Sequence, residues 1–119
     1  MRKRKDDGTG FVSRSAYKLV QLAEKYPLFR SGRVVVDLGA APGGWCQAVQ
    51  KVSPESPLFA LDLLPLEISI SKGQYMQGDF TDESVRETLR ELVSSQLGSS
   101  QNGAYVDIVL SDMMGTHFC

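Results

Sequence analysis

Four aspartates stand at or just beyond the ends of short apolar runs. Asp37 follows Val34-Val-Val36, Asp62 follows Leu58-Phe-Ala-Leu61, Asp79 follows Gln74-Tyr-Met-Gln77 and a glycine, and Asp112 follows the run 106–110 and a serine. Directly after the first comes a turn of small residues, Gly39-Ala-Ala-Pro-Gly-Gly44, closed by Trp45. Carboxylates accept hydrogen bonds from hydroxyls and amines and attract cations, while glycine and alanine let the backbone come close to a ligand. A strand, a glycine turn and then a helix make a pocket of the nucleotide-binding type. A tight strand-to-helix connection with no ligand would use the same glycines, so it is the company of the acids that argues for a pocket.

The chemistry of that pocket follows from charge. After Gly39 the next glycines are Gly43 and Gly44, which does not fit G-x-G-x-x-G and its pyrophosphate cradle. Gathering carboxylates around a diphosphate without that cradle is electrostatically unfavourable. S-adenosylmethionine carries no phosphate and bears a sulfonium cation, and an acid-lined pocket suits it. Asp62 lies 23 residues after Gly39, close to the spacing at which a carboxylate accepts from ribose hydroxyls. On this reading Asp62 holds the ribose, Asp79 the adenine amino edge, and Gly43-Gly44 borders the methionine part, while Trp45 packs at the pocket or fills core. A nicotinamide-dependent dehydrogenase is the weaker alternative, disfavoured by the missing phosphate fingerprint.

The elements that must position these residues can be read from periodicity. Ser13 or Ser15 is placed to cap a helix in which Ala16, Leu19, Val20 and Ala23 recur at helical spacing until Pro27. Arg14, Lys18 and Lys25 fall on its opposite face. A first strand is expected over about 33–38, then a helix with Trp45, Ala48, Val49 and Val52 on one side, closed by Pro54 and Pro57. Strands are expected at 58–61, 74–77 and 106–110. Between the last two, Thr81 is placed to cap a helix with Val85, Leu89, Leu92 and Val93 facing a core, followed by a Ser/Gln/Gly loop over 94–103. Strands alternating with helices predict a parallel, doubly wound sheet, in which ligands bind at the carboxyl ends of the strands. All four aspartates should converge there.

At 119 residues, with 42% hydrophobic and 23% charged residues, the chain has the composition of one small globular domain and no apolar run near the roughly 20 residues of a membrane span. The net charge of −1 conceals an asymmetry: residues 1–33 hold nine Lys/Arg against three Asp/Glu, and residues 34–119 hold four against eleven. A basic leading segment of +6 beside a body of −7 suggests a polyanion at one edge, with nucleic acid the first candidate. A solvated tail would look the same. Cys46 and Cys119 make neither a disulfide framework nor a zinc pattern, which points to a reducing compartment, and no signal-peptide core follows the basic start.

The stretches Ser13-Arg-Ser-Ala-Tyr-Lys18-Leu19, Val36 to Trp45, Asp62-Leu-Leu-Pro65, Gln77-Gly-Asp-Phe80 and Ser111-Asp112-Met113 resemble, in order and spacing, the FtsJ/RrmJ-type ribosomal RNA 2′-O-ribose methyltransferases. The resemblance covers about residues 13 to 113, behind a basic lead-in of residues 1–12. The DLGAAPGGW and DLLP forms look most like the bacterial and mitochondrial large-subunit branch. The resemblance implies an α/β, Rossmann-like S-adenosylmethionine-dependent fold, here its N-terminal half of about four strands. It implies a Lys-Asp-Lys-Glu tetrad in which Lys18 matches the first lysine and Asp112 the aspartate, with cofactor contacts at Gly43, Trp45, Asp62, Asp79 and Asp112. It implies no metal, a large-subunit rRNA partner held through residues 1–33, and a uridine as the modified nucleotide. A mitochondrial location is implied if the source is eukaryotic, a cytoplasmic one if bacterial, with the nucleolus a further alternative.

The sequence departs from the family pattern near its end. It reads Ser111-Asp-Met-Met-Gly-Thr116 where the family continues Ser-Asp-Met-Ala-Pro-Asn, and no counterpart of the second lysine or the glutamate precedes Cys119. The expectation is a shortened product, with a noncatalytic remnant that binds cofactor or RNA as the alternative. His117 reads as an incidental tail residue. With its fourth strand as an uncovered edge, the chain is expected to be marginally stable or to associate.

Overall fold

The computed structural model describes residues 10–29, 32–97 and 106–111. Residues 1–9 of the basic lead-in, residues 30–31 and 98–105, and residues 112–119 with Asp112, His117 and Cys119 lie outside the described residues.

The elements in chain order are α1 (Ser15–Lys25), β1 (Val35–Leu38), α2 (Gly44–Val52), β2 (Leu58–Asp62), β3 (Gly73–Gln77), α3 (Glu83–Leu97) and β4 (Ile108–Ser111). The four strands form one sheet in the order β3-β2-β1-β4, all parallel. The chain therefore grows outward from β1 through β2 to β3 and then returns to place β4 on the other side of β1. That return makes β1 the point where strand order reverses, and a ligand crevice opens outside the carboxyl ends at such a point.

β1 is buried at all four positions because both of its faces are covered. Val35, with Leu58 and Ala60 of β2, faces α1 and α2 in a cluster with Phe11, Ala16, Leu19, Ala48 and Val49. Val36 and Leu38, with Phe59 and Leu61, face α3 through Leu89 and Val93. The period-2 alternation of a strand thus splits one apolar run between two layers. Fully buried side chains such as Phe59 and Leu58 each contribute roughly 1.5–3 kcal/mol relative to exposure.

Several local expectations need correction. Neither Ser13 nor Ser15 caps α1; Arg14 occupies the N-cap position without a side-chain cap bond. The Ser13 and Ser15 hydroxyls lie 3.3 Å apart, and both line the crevice described below. At the start of α3, Asp82 does what Thr81 was expected to do, its Oδ1 accepting the Ser84 N–H at 2.9 Å. α3 also runs on through 94–97, because Leu97 packs against the same cluster as Val93 and Gln96 donates to Gln74 at 2.6 Å.

β2 and β3 are joined by a ten-residue stretch, 63–72, without a helix. A parallel crossover is usually helical. Here Leu66, Ile68 and Ile70 alternate inward onto the α1/α2 side of the core and do a helix's covering work. The stretch is pinned to α2, where Gln50 donates to Ser69 O at 3.0 Å and accepts the Ser71 N–H at 2.7 Å.

Candidate functional site

The turn after β1 is held by β2. Gly39 N–H and Ala40 N–H both donate to the Leu61 carbonyl, at 2.8 and 3.1 Å, and Ala41 N–H donates to Asp62 Oδ2 at 2.9 Å. Three successive backbone donors that would otherwise form an anion cradle are therefore spent on the neighbouring strand. These three donors are therefore not free to bind a phosphate, in keeping with the missing fingerprint.

Gly43 and Gly44 of the turn also meet a packing requirement. Gly43 has φ of +124°, and a Cβ there would lie 2.6 Å from Ile68 Cγ1 of the 63–72 stretch. A Cβ on Gly44 would strike the Ser13 hydroxyl. Both positions are small because protein closes on them from either side.

What those walls leave is a small crevice of about 60 Å³, lined by Ser13, Ser15, Asp37, Gly39, Ala40, Ala41, Pro42, Gly44 and Trp45. The peptide bond between Ala41 and Pro42 is cis. Asp37 is 1% exposed, and its Oδ2 accepts from the Cys46 thiol at 3.2 Å. Burial, then the charge of Asp37 and the hydrogen bond to it, push the Cys46 thiol far above its ordinary range. Cys46 is therefore a protonated donor that supports an acceptor on the crevice floor. The Trp45 indole N–H is shut off from solvent and has no acceptor among the described residues.

Asp62 sits at the shoulder of this crevice and not in its lining. Its Oδ1 accepts the Leu64 N–H at 2.8 Å, so each carboxylate oxygen holds one backbone donor and keeps capacity for another. The residues after it are held from β3: the Tyr75 hydroxyl donates to Leu64 O at 2.5 Å, and Gln77 Nε2 donates to Leu63 O at 2.8 Å. Desolvation and then the Asp62 charge push the Tyr75 phenol upward, which keeps it a donor. Leu63 and Leu64 project outward, 60% and 64% exposed.

Gly78 N–H donates to Asp62 O at 2.9 Å, which brings Asp79 to the same edge of the sheet. Asp79 is exposed, and its Oδ1 accepts both the Thr81 hydroxyl, at 2.7 Å, and the Thr81 N–H, at 2.9 Å. These two bonds hold its carboxyl below the usual range, so it is an anion at neutral pH.

Asp37, Asp62 and Asp79 thus gather at the carboxyl edge of β1, β2 and β3. Leu38 pairs with Ser111, so the next residue, Asp112, follows the end of β4; its position is outside the described residues. Lys18 is exposed on α1, the helix whose first residues wall the crevice, and does not itself line it. Arg14 and Lys25 are also exposed. Sequence reasoning missed Ser13 and Ser15 as crevice residues, since a serine before a helix reads first as a cap. It missed Gln47 and Gln50 too, because an amide on a helix carries no signal until its partners are known.

The FtsJ-like methyltransferase family pattern matches residues 11–118. Ribosomal RNA large subunit methyltransferase E of Azoarcus sp. (strain BH72) is 47% identical over 105 residues, covering 87% of this chain and 47% of that protein. The protein of the same name from Alkalilimnicola ehrlichii is 46% identical over 105 residues, covering 87% and 46%. A crystal structure of a ribosomal RNA methyltransferase from Plasmodium falciparum superposes with a TM-score of 0.67 at 26% identity, covering 88% of this chain and 57% of that one. The chain spans about half the length of the curated relatives it matches.

Proposed function

This chain belongs to the FtsJ-like methyltransferase family, and on that premise we propose that it holds S-adenosylmethionine at the carboxyl ends of β1, β2 and β3 and serves 2′-O-ribose methylation of large-subunit ribosomal RNA, with a uridine as acceptor. The observation that carries the reading is the occupation of the Gly39, Ala40 and Ala41 N–H groups by Leu61 O and Asp62, beside a buried Asp37. A site whose backbone donors are spent and whose side chains are carboxylates repels phosphates and accepts a cationic, phosphate-free ligand.

The residues present fit that cofactor. Asp62 has carboxylate capacity left for ribose hydroxyls, and Asp79, ionised and at the same edge, is suited to accept from an adenine amino group. Asp37 on the crevice floor offers a negative charge to an ammonium or sulfonium, Trp45 shapes the wall beside it, and Gly43 lies between the lining residues Pro42 and Gly44. When bound, the cofactor supplies an activated methyl group. The chain's own residues orient a ribose hydroxyl and stabilise the loss of its proton, work that proximity and a nearby cation make easier. Lys18 and Asp112 are assigned to that step, with Lys18 also drawing the RNA backbone to α1 together with Arg14.

Three measurements test this. Calorimetric titration with S-adenosylmethionine and with NAD should give binding of the first alone; preference for NAD would overturn the reading. Titration of an rRNA fragment at rising salt should show affinity falling steeply, as counterion release requires, and a flat response would remove the nucleic-acid part. Transfer of labelled methyl to rRNA, with Lys18→Ala as control, separates methylation from binding alone.

A further inference from the structure

The segment 10–13, which carries Ser13 to the crevice, reaches the body of the protein from far away in sequence. The Gln47 side chain meets its backbone there. Gln47 Oε1 accepts the Val12 N–H at 2.6 Å, and Gln47 Nε2 donates to Gly10 O at 3.3 Å, across 35 and 37 residues. The amide thus acts as a short piece of β-ladder, offering an acceptor and a donor in one plane. Asparagine is a methylene shorter, and glutamate keeps only the acceptor. The clip is one turn along α2 from Gly44, the residue whose missing Cβ lets Ser13 come down against the helix.

We propose that Gln47 is a positioning residue for the cofactor site: its amide clips residues 10–12 to α2, sets Ser13 and Ser15 as one wall of the crevice, and fixes the start of α1, so that the helix bearing Lys18 and the pocket move as one body. This rests on the methyltransferase reading. Phe11, buried in the core at 6% exposure, anchors the same segment independently. The segment therefore stays attached when the clip is removed, and what is lost is its alignment.

The test compares Gln47→Ala with Gln96→Ala, which deletes a side-chain hydrogen bond of similar length, to Gln74, far from the crevice. Calorimetric titration with S-adenosylhomocysteine should show binding weakened about tenfold in Gln47→Ala, which loses the bonds to Val12 and Gly10, and unchanged in Gln96→Ala. Amide hydrogen exchange at Val12 should accelerate in Gln47→Ala alone. Wild-type affinity in Gln47→Ala, or equal weakening in both variants, overturns the proposal. If the unmodified chain does not bind S-adenosylhomocysteine, the methyltransferase reading falls and the positioning role falls with it. The Val12 exchange rates then still decide separately whether the clip exists.

Discussion

Asp62 and Ala41 are joined across the shoulder of the crevice, the carboxylate Oδ2 accepting the alanine N–H at 2.9 Å while Oδ1 takes the Leu64 N–H at 2.8 Å. One side chain therefore ties the glycine turn to the start of the 63–72 stretch. Asp62→Asn turns one acceptor into a donor that faces an N–H, and is expected to cost about 1–3 kcal/mol of stability. Urea unfolding checks this, and S-adenosylmethionine affinity should fall on the order of tenfold in the same variant.

Gly43 is fixed by two conditions at once, its φ of +124° and the closeness of Ile68. Gly43→Ala should destabilise by roughly 1–3 kcal/mol from strain and collision together. Adding Ile68→Ala removes the collision and leaves the φ strain. A double-mutant cycle should therefore show the pair costing less than the sum of the two single changes.

The buried Cys46 thiol sets a pH dependence. Burial first, then Asp37, raise its folded pKa above the ordinary 9.0, so the folded state keeps the proton after the unfolded chain has lost it. Its contribution is fully present below pH 9 and is lost as pH rises beyond. Between pH 8 and pH 10 the urea midpoint should fall more in the unmodified protein than in Cys46→Ser. Iodoacetamide at pH 8 should label Cys46 only on addition of denaturant, as read by peptide mass mapping.

Much of this was legible from residue types and spacing. β1 through β4, the parallel order and the gathering of Asp37, Asp62 and Asp79 at one edge follow from apolar runs that each close on an acid. What was not legible depended on partners distant in the chain. The role of Gly43 needs Ile68, that of Gly44 needs Ser13, and Gln47 becomes informative only when Val12 is seen across 35 residues. The helical reach of α3 through 94–97 was hidden by a serine- and glutamine-rich composition. Tertiary packing of Leu97 overrides that local preference.

Lys18 is exposed on α1 and outside the crevice lining. Lys18→Ala should leave stability within about 0.5 kcal/mol and leave S-adenosylmethionine affinity unchanged, while lowering affinity for rRNA and reducing the slope of its salt dependence by about one. Side-by-side titrations of cofactor and RNA check both halves of that statement.

Among the described residues β4 lies at the edge of the sheet, with Val109 61% exposed on it. An edge strand with an exposed apolar side chain invites pairing with another strand. Sedimentation velocity should show concentration-dependent association, and Val109→Lys should shift the protein toward monomer without moving its unfolding midpoint by more than about 0.5 kcal/mol.

The chain contains one tryptophan, and it stands in the crevice wall with its indole N–H secluded and, among the described residues, lacking an acceptor. All indole fluorescence thus originates at one point, in an environment that shifts emission to short wavelength. Any molecule entering the crevice changes the surroundings of the only such emitter, so the protein carries its own optical gauge of occupancy and needs no attached dye.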